Sequence, residues 1–114
     1  TFLPGRVTAP GVFETAGGLR IACRETPGTG PATLALRPEA IGLDPAPETA
    51  NRLAGEIEFL SYLGPLLELH VRLSAADRVV VHVPNHAGLR APAPGEAVTL
   101  GWPRETGMIF LDTP

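Results

Sequence analysis

The sequence of 114 residues contains no lysine, and all nine of its basic residues are arginines. A phosphate-binding loop of the Gly-x-x-x-x-Gly-Lys-Ser/Thr type needs a lysine that reaches the nucleotide phosphates. The sequence therefore excludes ATP hydrolysis by the usual phosphoryl-transfer arrangement.

Cysteine is almost absent as well. Cys23 is the only one, which excludes an intramolecular disulfide and is compatible with a reducing compartment. No apolar run approaches the roughly 20 residues that a membrane-spanning helix needs, and no signal peptide is recognisable. Because the chain starts at Thr1 with strand-like residues, we interpret it as a segment of a longer protein.

The charge distribution lacks a concentrated positive region. The formal net charge is −3, and the arginines are scattered along the chain. Nucleic acids and anionic membrane surfaces both require a clustered basic face. The sequence therefore predicts neither a nucleic-acid partner nor direct insertion into a membrane.

Turn-forming residues and aliphatic residues are abundant. The chain has 13 glycines and 13 prolines, and 44% of its residues are hydrophobic although only 5% are aromatic. Apolar residues alternate with polar ones in many short runs that end at Gly or Pro. The pattern predicts an all-β OB-like barrel of eight to ten strands with short helical turns only, such as one at 38–41. Two small interleaved barrels are the alternative arrangement.

The run from Leu53 to Leu63 is the longest predicted strand. Strict alternation places Ile57 and Phe59 towards the core, so Leu60 and Tyr62 are predicted to face outwards. Val80 is predicted to face outwards in the same way, because Val79 and Val81 alternate with it. These three residues could form a contact between two copies of the chain; the alternative is that they pack inside a second small barrel.

Arg37, Pro38 and Glu39 form the most distinctive short motif, directly after a predicted strand. The two charged side chains could bind a ligand carboxylate or a partner subunit. The simpler interpretation is a local ion pair that fixes the turn, since exposed charge pairs are common and contribute little energy.

Three further groups have both a chemical and a structural interpretation. His70 and His82 are predicted to lie opposite each other on one face of a hairpin, where zinc would need Glu68 or His86 as a further ligand, so two half-exposed imidazoles are the simpler expectation. Cys23 is expected to pack in the core, as is Trp102 near its edge. We predict no catalytic, cofactor or metal site.

The order of several short strings resembles the C-terminal TOBE-type domain of ABC-transporter ATPases of the maltose, polyamine and ferric-iron importer group. The strings are Phe2-Leu3-Pro4-Gly5, Leu36-Arg37-Pro38-Glu39, Leu53-Ala54-Gly55-Glu56-Ile57, Tyr62-Leu63-Gly64, Val81-His82-Val83-Pro84, Pro94-Gly95-Glu96-Ala97-Val98 and Gly101-Trp102. On this resemblance, residues 1–114 are one C-terminal regulatory domain, of which 32–112 is the TOBE-like portion.

The resemblance implies a regulatory or dimerisation domain without its ATPase core. It implies attachment to an ATPase domain and to membrane permease subunits, a homodimer, and a cytoplasmic location at the inner face of the membrane. ATP and Mg²⁺ would belong to the parent chain, and no cofactor is expected in this segment. The alternative function is a module that binds an oxyanion or another small solute.

Overall fold

A computed structural model describes residues 1–112. This part of the chain folds into ten β-strands and one 3₁₀ turn at Pro38–Ala40. The strands are β1 (Phe2–Ala9), β2 (Val12–Thr15), β3 (Arg20–Ala22), β4 (Gly30–Ala35), β5 (Gly42–Leu43), β6 (Asn51–Leu63), β7 (Leu66–Arg72), β8 (Arg78–Pro84), β9 (Ala97–Trp102) and β10 (Met108–Leu111).

The strands form two curled antiparallel sheets of five strands each. Sheet A has the order β10-β4-β1-β2-β3, and sheet B has the order β5-β9-β6-β7-β8. The chain leaves sheet A after β4, completes sheet B, and returns to sheet A with β10, so the two halves are interleaved. The predictions of an all-β, OB-like fold and of short helical turns are confirmed.

Side chains from both sheets form one continuous hydrophobic core. Within the described residues, 17 apolar side chains are buried, and only Phe13 and Trp102 among them are aromatic. The core is therefore aliphatic, as the low aromatic content predicts. No helix in this part of the chain combines the length and the apolar character needed to cross a bilayer.

A β-bulge in β6 decides which side chains of sheet B face the core. The pairing with β7 shifts between Ile57 and Phe59, so that Ile57 pairs with Val71 but Phe59 pairs with His70. One extra residue in a strand reverses the alternation beyond it. Ile57 is buried, whereas the Phe59 side chain points to the opposite side and is half exposed.

The hairpin between β6 and β7 closes through the two residues Gly64 and Pro65. Gly64 has a φ of +70°, a conformation that residues with a side chain adopt at a cost. A glycine at the first of two turn residues is typical of a type II′ turn, whose twist suits an antiparallel hairpin. This turn places Tyr62 and Leu63 at the tip of sheet B.

Candidate functional site

Exposed apolar side chains form the principal candidate interaction surfaces. Six large hydrophobic residues within the described chain are exposed: Phe2, Phe59, Tyr62, Leu63, Met108 and Phe110. They fall into two groups, one at the tip and outer side of sheet B and one on the outer side of sheet A. Exposed apolar groups of this kind commonly mark contact or ligand sites.

Three rows of residues lie side by side across β6, β7 and β8 on the side of the sheet away from the core. We call this surface the sheet B outer face. The rows are Phe59–His70–Val80, Ser61–Glu68–His82 and Leu63–Leu66–Pro84. The ring of Phe59 stacks on the His70 imidazole, with 3.9 Å between centroids and 15° between planes. The face thus has a polar row, Ser61–Glu68–His82, between two mainly apolar rows.

Glu68 of the polar row contacts both histidines of this face, His82 in its own row and His70 in the neighbouring row. The Nε2 atom of His70 lies 2.8 Å from one Glu68 oxygen, and the Nε2 atom of His82 lies 3.4 Å from the other. The predicted alignment of the two histidines is wrong, because Val71 rather than Leu73 pairs with Val79, which places His70 opposite Val80. Among residues 1–112, no group of three or more His, Cys, Asp or Glu side chains could hold a metal ion.

The predicted outward orientation of Leu60 is wrong, and the bulge is the reason. Leu60 pairs with the fully buried Leu69 and packs against the core. Tyr62 pairs with buried Leu67 and so lies on the same side, but 68% of it is exposed because the hairpin tip extends past the core. Leu60 therefore packs against the core of its own chain.

Val80 faces away from the buried Val79 and Val81, as alternation predicts. Its backbone amide donates a hydrogen bond of 3.1 Å to the Thr1 hydroxyl oxygen. This contact occupies part of the free edge of β8. Val80 is half-buried on the same face as Phe59.

Sequence reasoning missed Phe59 and Leu63 as surface residues. The run Phe59-Leu60-Ser61-Tyr62-Leu63 contains two adjacent apolar pairs, which a single alternation cannot place on one face. Such doublets are the signal that could have indicated an irregular strand. The position of the bulge itself has no further mark in the sequence.

The Arg37-Pro38-Glu39 motif lies at the end of β4, where Pro38 opens the 3₁₀ turn. Arg37 and Glu39 are both exposed. None of the ion pairs among the described residues joins them, so the structure does not show the local pair that the simpler interpretation requires. Arg37 instead lines an open cleft of about 370 Å³ together with Phe2 and Met108.

A second, smaller cleft of about 180 Å³ lies beside β3. Arg20 and Arg104 both line it, and neither belongs to an ion pair within residues 1–112. Asn51 also lines it, but its side chain is engaged in two hydrogen bonds with the backbone of Ala22, of 2.7 and 2.9 Å. Two arginines without ion-pair partners among the described residues thus line this cleft.

Cys23 and Trp102 both lie in the core and are almost completely buried. Burial raises the pKa of the Cys23 thiol, while the Arg104 charge lowers it to a smaller extent. Trp102 packs deeper than the core edge where it was expected. Both residues therefore act as core side chains.

Comparison with known proteins identifies relatives of this chain. Residues 34–110 match the family described as the TOBE domain. The chain is 34% identical over 96 residues to the spermidine/putrescine import ATP-binding protein of Rubrobacter xylanophilus, a match that covers 80% of this chain and 25% of that protein. It is 37% identical over 83 residues to an Fe(3+) ions import ATP-binding protein of Rhizobium meliloti, covering 73% of this chain and 22% of that protein.

The chain thus spans about a quarter of the length of these curated relatives. Among solved structures, it resembles the cytoplasmic molybdate-binding protein ModG, with a TM-score of 0.78, 12% identity, and coverage of 98% of this chain and 96% of that one. At this level of identity the likeness concerns the fold.

Proposed function

Since this chain belongs to the TOBE domain family, we propose that it is the regulatory and dimerisation domain of the ATP-binding subunit of an ABC importer. The similarity to two import ATP-binding proteins supports the parent class. The chain itself contains no ATP-hydrolysing core. Its contribution to transport is therefore mechanical rather than chemical.

The observation that carries the dimer is the exposed apolar part of the sheet B outer face. Phe59 is 50% exposed and Leu63 is 46% exposed on the same face as half-buried Val80. A two-fold contact would bring this same surface from two copies together. Tyr62, exposed at the hairpin tip, would extend the contact at its rim.

The neighbouring polar row is compatible with such a contact. Glu68 engages both His70 and His82, so burial of this row would not leave its carboxylate without a partner. A charge left unpaired in an interface is costly, whereas a hydrogen-bonded cluster is tolerated. The stacked Phe59 and His70 rings also form a preordered surface, which lowers the entropy lost on association.

In the parent complex, two copies of this domain would hold the ATPase domains together between catalytic cycles. The partners would be the chain's own ATPase domain and the membrane permease subunits, at the cytoplasmic face of the membrane. ATP and Mg²⁺ would bind only the ATPase domain. An effector at this contact would shift the resting and closed states only through its different affinity for the two.

The test is the assembly of the parent subunit without nucleotide. We expect Phe59→Glu to convert the nucleotide-free subunit from dimer to monomer in light scattering, because it would place a carboxylate from each copy in the apolar contact. Phe110→Glu, on the outer side of the other sheet, is the matched control and should leave the dimer intact. A nucleotide-free dimer that survives Phe59→Glu would contradict the proposal.

A second candidate function is binding of an oxyanion in the cleft beside β3. Arg20 and Arg104 line this cleft without carboxylate partners in the described part of the chain. Guanidinium groups suit oxyanions because they donate in a planar fork. The fold of a molybdate-binding protein supports the same idea.

Calorimetry with molybdate and sulfate separates the two functions. Under the second function, Arg104→Gln should remove anion binding while Arg52→Gln, whose guanidinium donates to loop carbonyls, should retain it. Absence of heat with the unaltered chain would reject the second function and leave the dimer proposal unaffected.

A further inference from the structure

The cleft at the end of sheet A has an apolar floor that follows from strand register. Phe2, Ala35 and Met108 lie side by side across β1, β4 and β10. The small Ala35 side chain stands between two long ones, which leaves a groove. Phe2 is 72% exposed and Met108 is 63% exposed, so both walls of the groove are accessible.

The remaining walls of the cleft are also largely apolar. Leu36, Pro38 and Ala40 line the side next to the 3₁₀ turn, and Gly107, which lies close to Leu36, contributes no side chain. Its volume of about 370 Å³ falls within the range of roughly 300–1,000 Å³ that small-molecule sites occupy.

Arg37 is the one charged side chain among the described residues that line this cleft. Its guanidinium is exposed and forms no ion pair with any carboxylate in residues 1–112. The nitrogen of Thr1, also at the cleft, already donates to the Leu36 carbonyl oxygen at 2.9 Å. The cleft therefore combines a largely apolar lining with one arginine that has no ion-pair partner among the described residues.

We propose that this cleft binds a small amphipathic monocarboxylate, with its apolar body between Phe2 and Met108 and its carboxylate on Arg37. An inorganic oxyanion would gain nothing from the apolar walls, and a neutral apolar molecule would leave the guanidinium without a partner. Arginine and carboxylate match in both charge and geometry. The cleft shares no lining residue with the sheet B outer face or with the cleft beside β3.

The experiment measures binding of 4-phenylbutyrate and of its uncharged analogue 4-phenylbutanamide by calorimetry or NMR titration. The unaltered chain should bind the carboxylate at least about tenfold more tightly than the amide, because hydrogen bonds to a charged partner are the stronger ones. Arg37→Gln should abolish that preference. Met108→Asn should weaken both compounds.

Arg6→Gln is the matched control, since Arg6 lies on the same side of β1 as Phe2 but does not line the cleft. It should keep the preference for the carboxylate. Equal affinity for acid and amide, a preference that persists in Arg37→Gln, or absence of binding by both compounds would overturn the assignment.

Discussion

At the residue scale, Asp77 connects the two sheets. It is fully buried, and its Oδ2 accepts hydrogen bonds from the Thr15 hydroxyl at 2.6 Å and the Ser74 hydroxyl at 2.8 Å. Thr15 belongs to sheet A, whereas Ser74 and Asp77 lie in the turn between two strands of sheet B. A side chain at Gly17 would run into Ser74 and Asp77, so glycine keeps room for this link.

We expect Thr15→Val to destabilise the chain by about 1–3 kcal/mol. Valine has nearly the same shape as threonine but lacks the hydroxyl, so the buried Asp77 carboxylate loses one of its hydrogen-bond donors. Urea unfolding measures the change in the free energy of unfolding. Thr8→Val, at an exposed position of the same sheet, is the control and should stay within about 0.5 kcal/mol. Equal stability of both variants would show that the link contributes nothing.

Cys23 provides a prediction with a pH dependence. Burial raises the pKa of its thiol, so the folded chain keeps the thiol neutral at a pH where the unfolded chain already ionises. The corresponding stability is present below the ordinary thiol pKa and is lost as pH rises towards the folded value. Iodoacetamide reacts with an accessible thiolate, and burial together with the raised pKa makes this form scarce in the folded chain. We therefore expect slow alkylation in the native state and rapid alkylation in denaturant at the same pH. Comparable rates in both would contradict burial of this thiol.

At the element scale, the bulge in β6 determines the surface of sheet B. Because it moves Leu60 inwards and Phe59 outwards, the same substitution should change stability far more at Leu60 than at Phe59. Leu60→Glu should destabilise the fold by about 2 kcal/mol or more, since it places a charge against the core. Phe59→Glu should leave unfolding almost unchanged when the monomers are compared.

Urea unfolding of the two variants at low chain concentration measures this difference. If Phe59→Glu were the more destabilising of the two, the alternation would run through β6 without interruption, and the face assignment would be wrong.

The elements that could be predicted from the sequence are those with unbroken alternation. Leu67, Leu69 and Val71 alternate with polar residues, and their burial follows directly. The 3₁₀ turn was equally visible, since Pro38 sets its first residue. In contrast, the bulge arises from pairing between strands, which the local sequence pattern does not encode, so Leu60 and Phe59 were predicted on the wrong sides of the sheet.

The candidate sites were less predictable than the fold. Arg37 stood out as part of a motif, but its neighbours Phe2 and Met108 come from opposite ends of the chain. Only the return of β10 to sheet A brings them together. Sequence spacing cannot indicate a cleft whose walls depend on long-range pairing of this kind.

At the scale of the whole molecule, two apolar surfaces belong to different sheets. We propose that the sheet B outer face contacts a second copy of the chain and that the cleft of sheet A binds a small carboxylate. The two assignments can therefore be tested independently with variants that alter only one of them.

Sedimentation equilibrium of this chain over a wide concentration range tests the central claim most directly. We expect the unaltered chain and Phe110→Glu to associate reversibly into dimers at high concentration, and Phe59→Glu to remain monomeric throughout. A chain that is strictly monomeric at the highest concentration, or a dimer that Phe59→Glu leaves unchanged, would contradict the account.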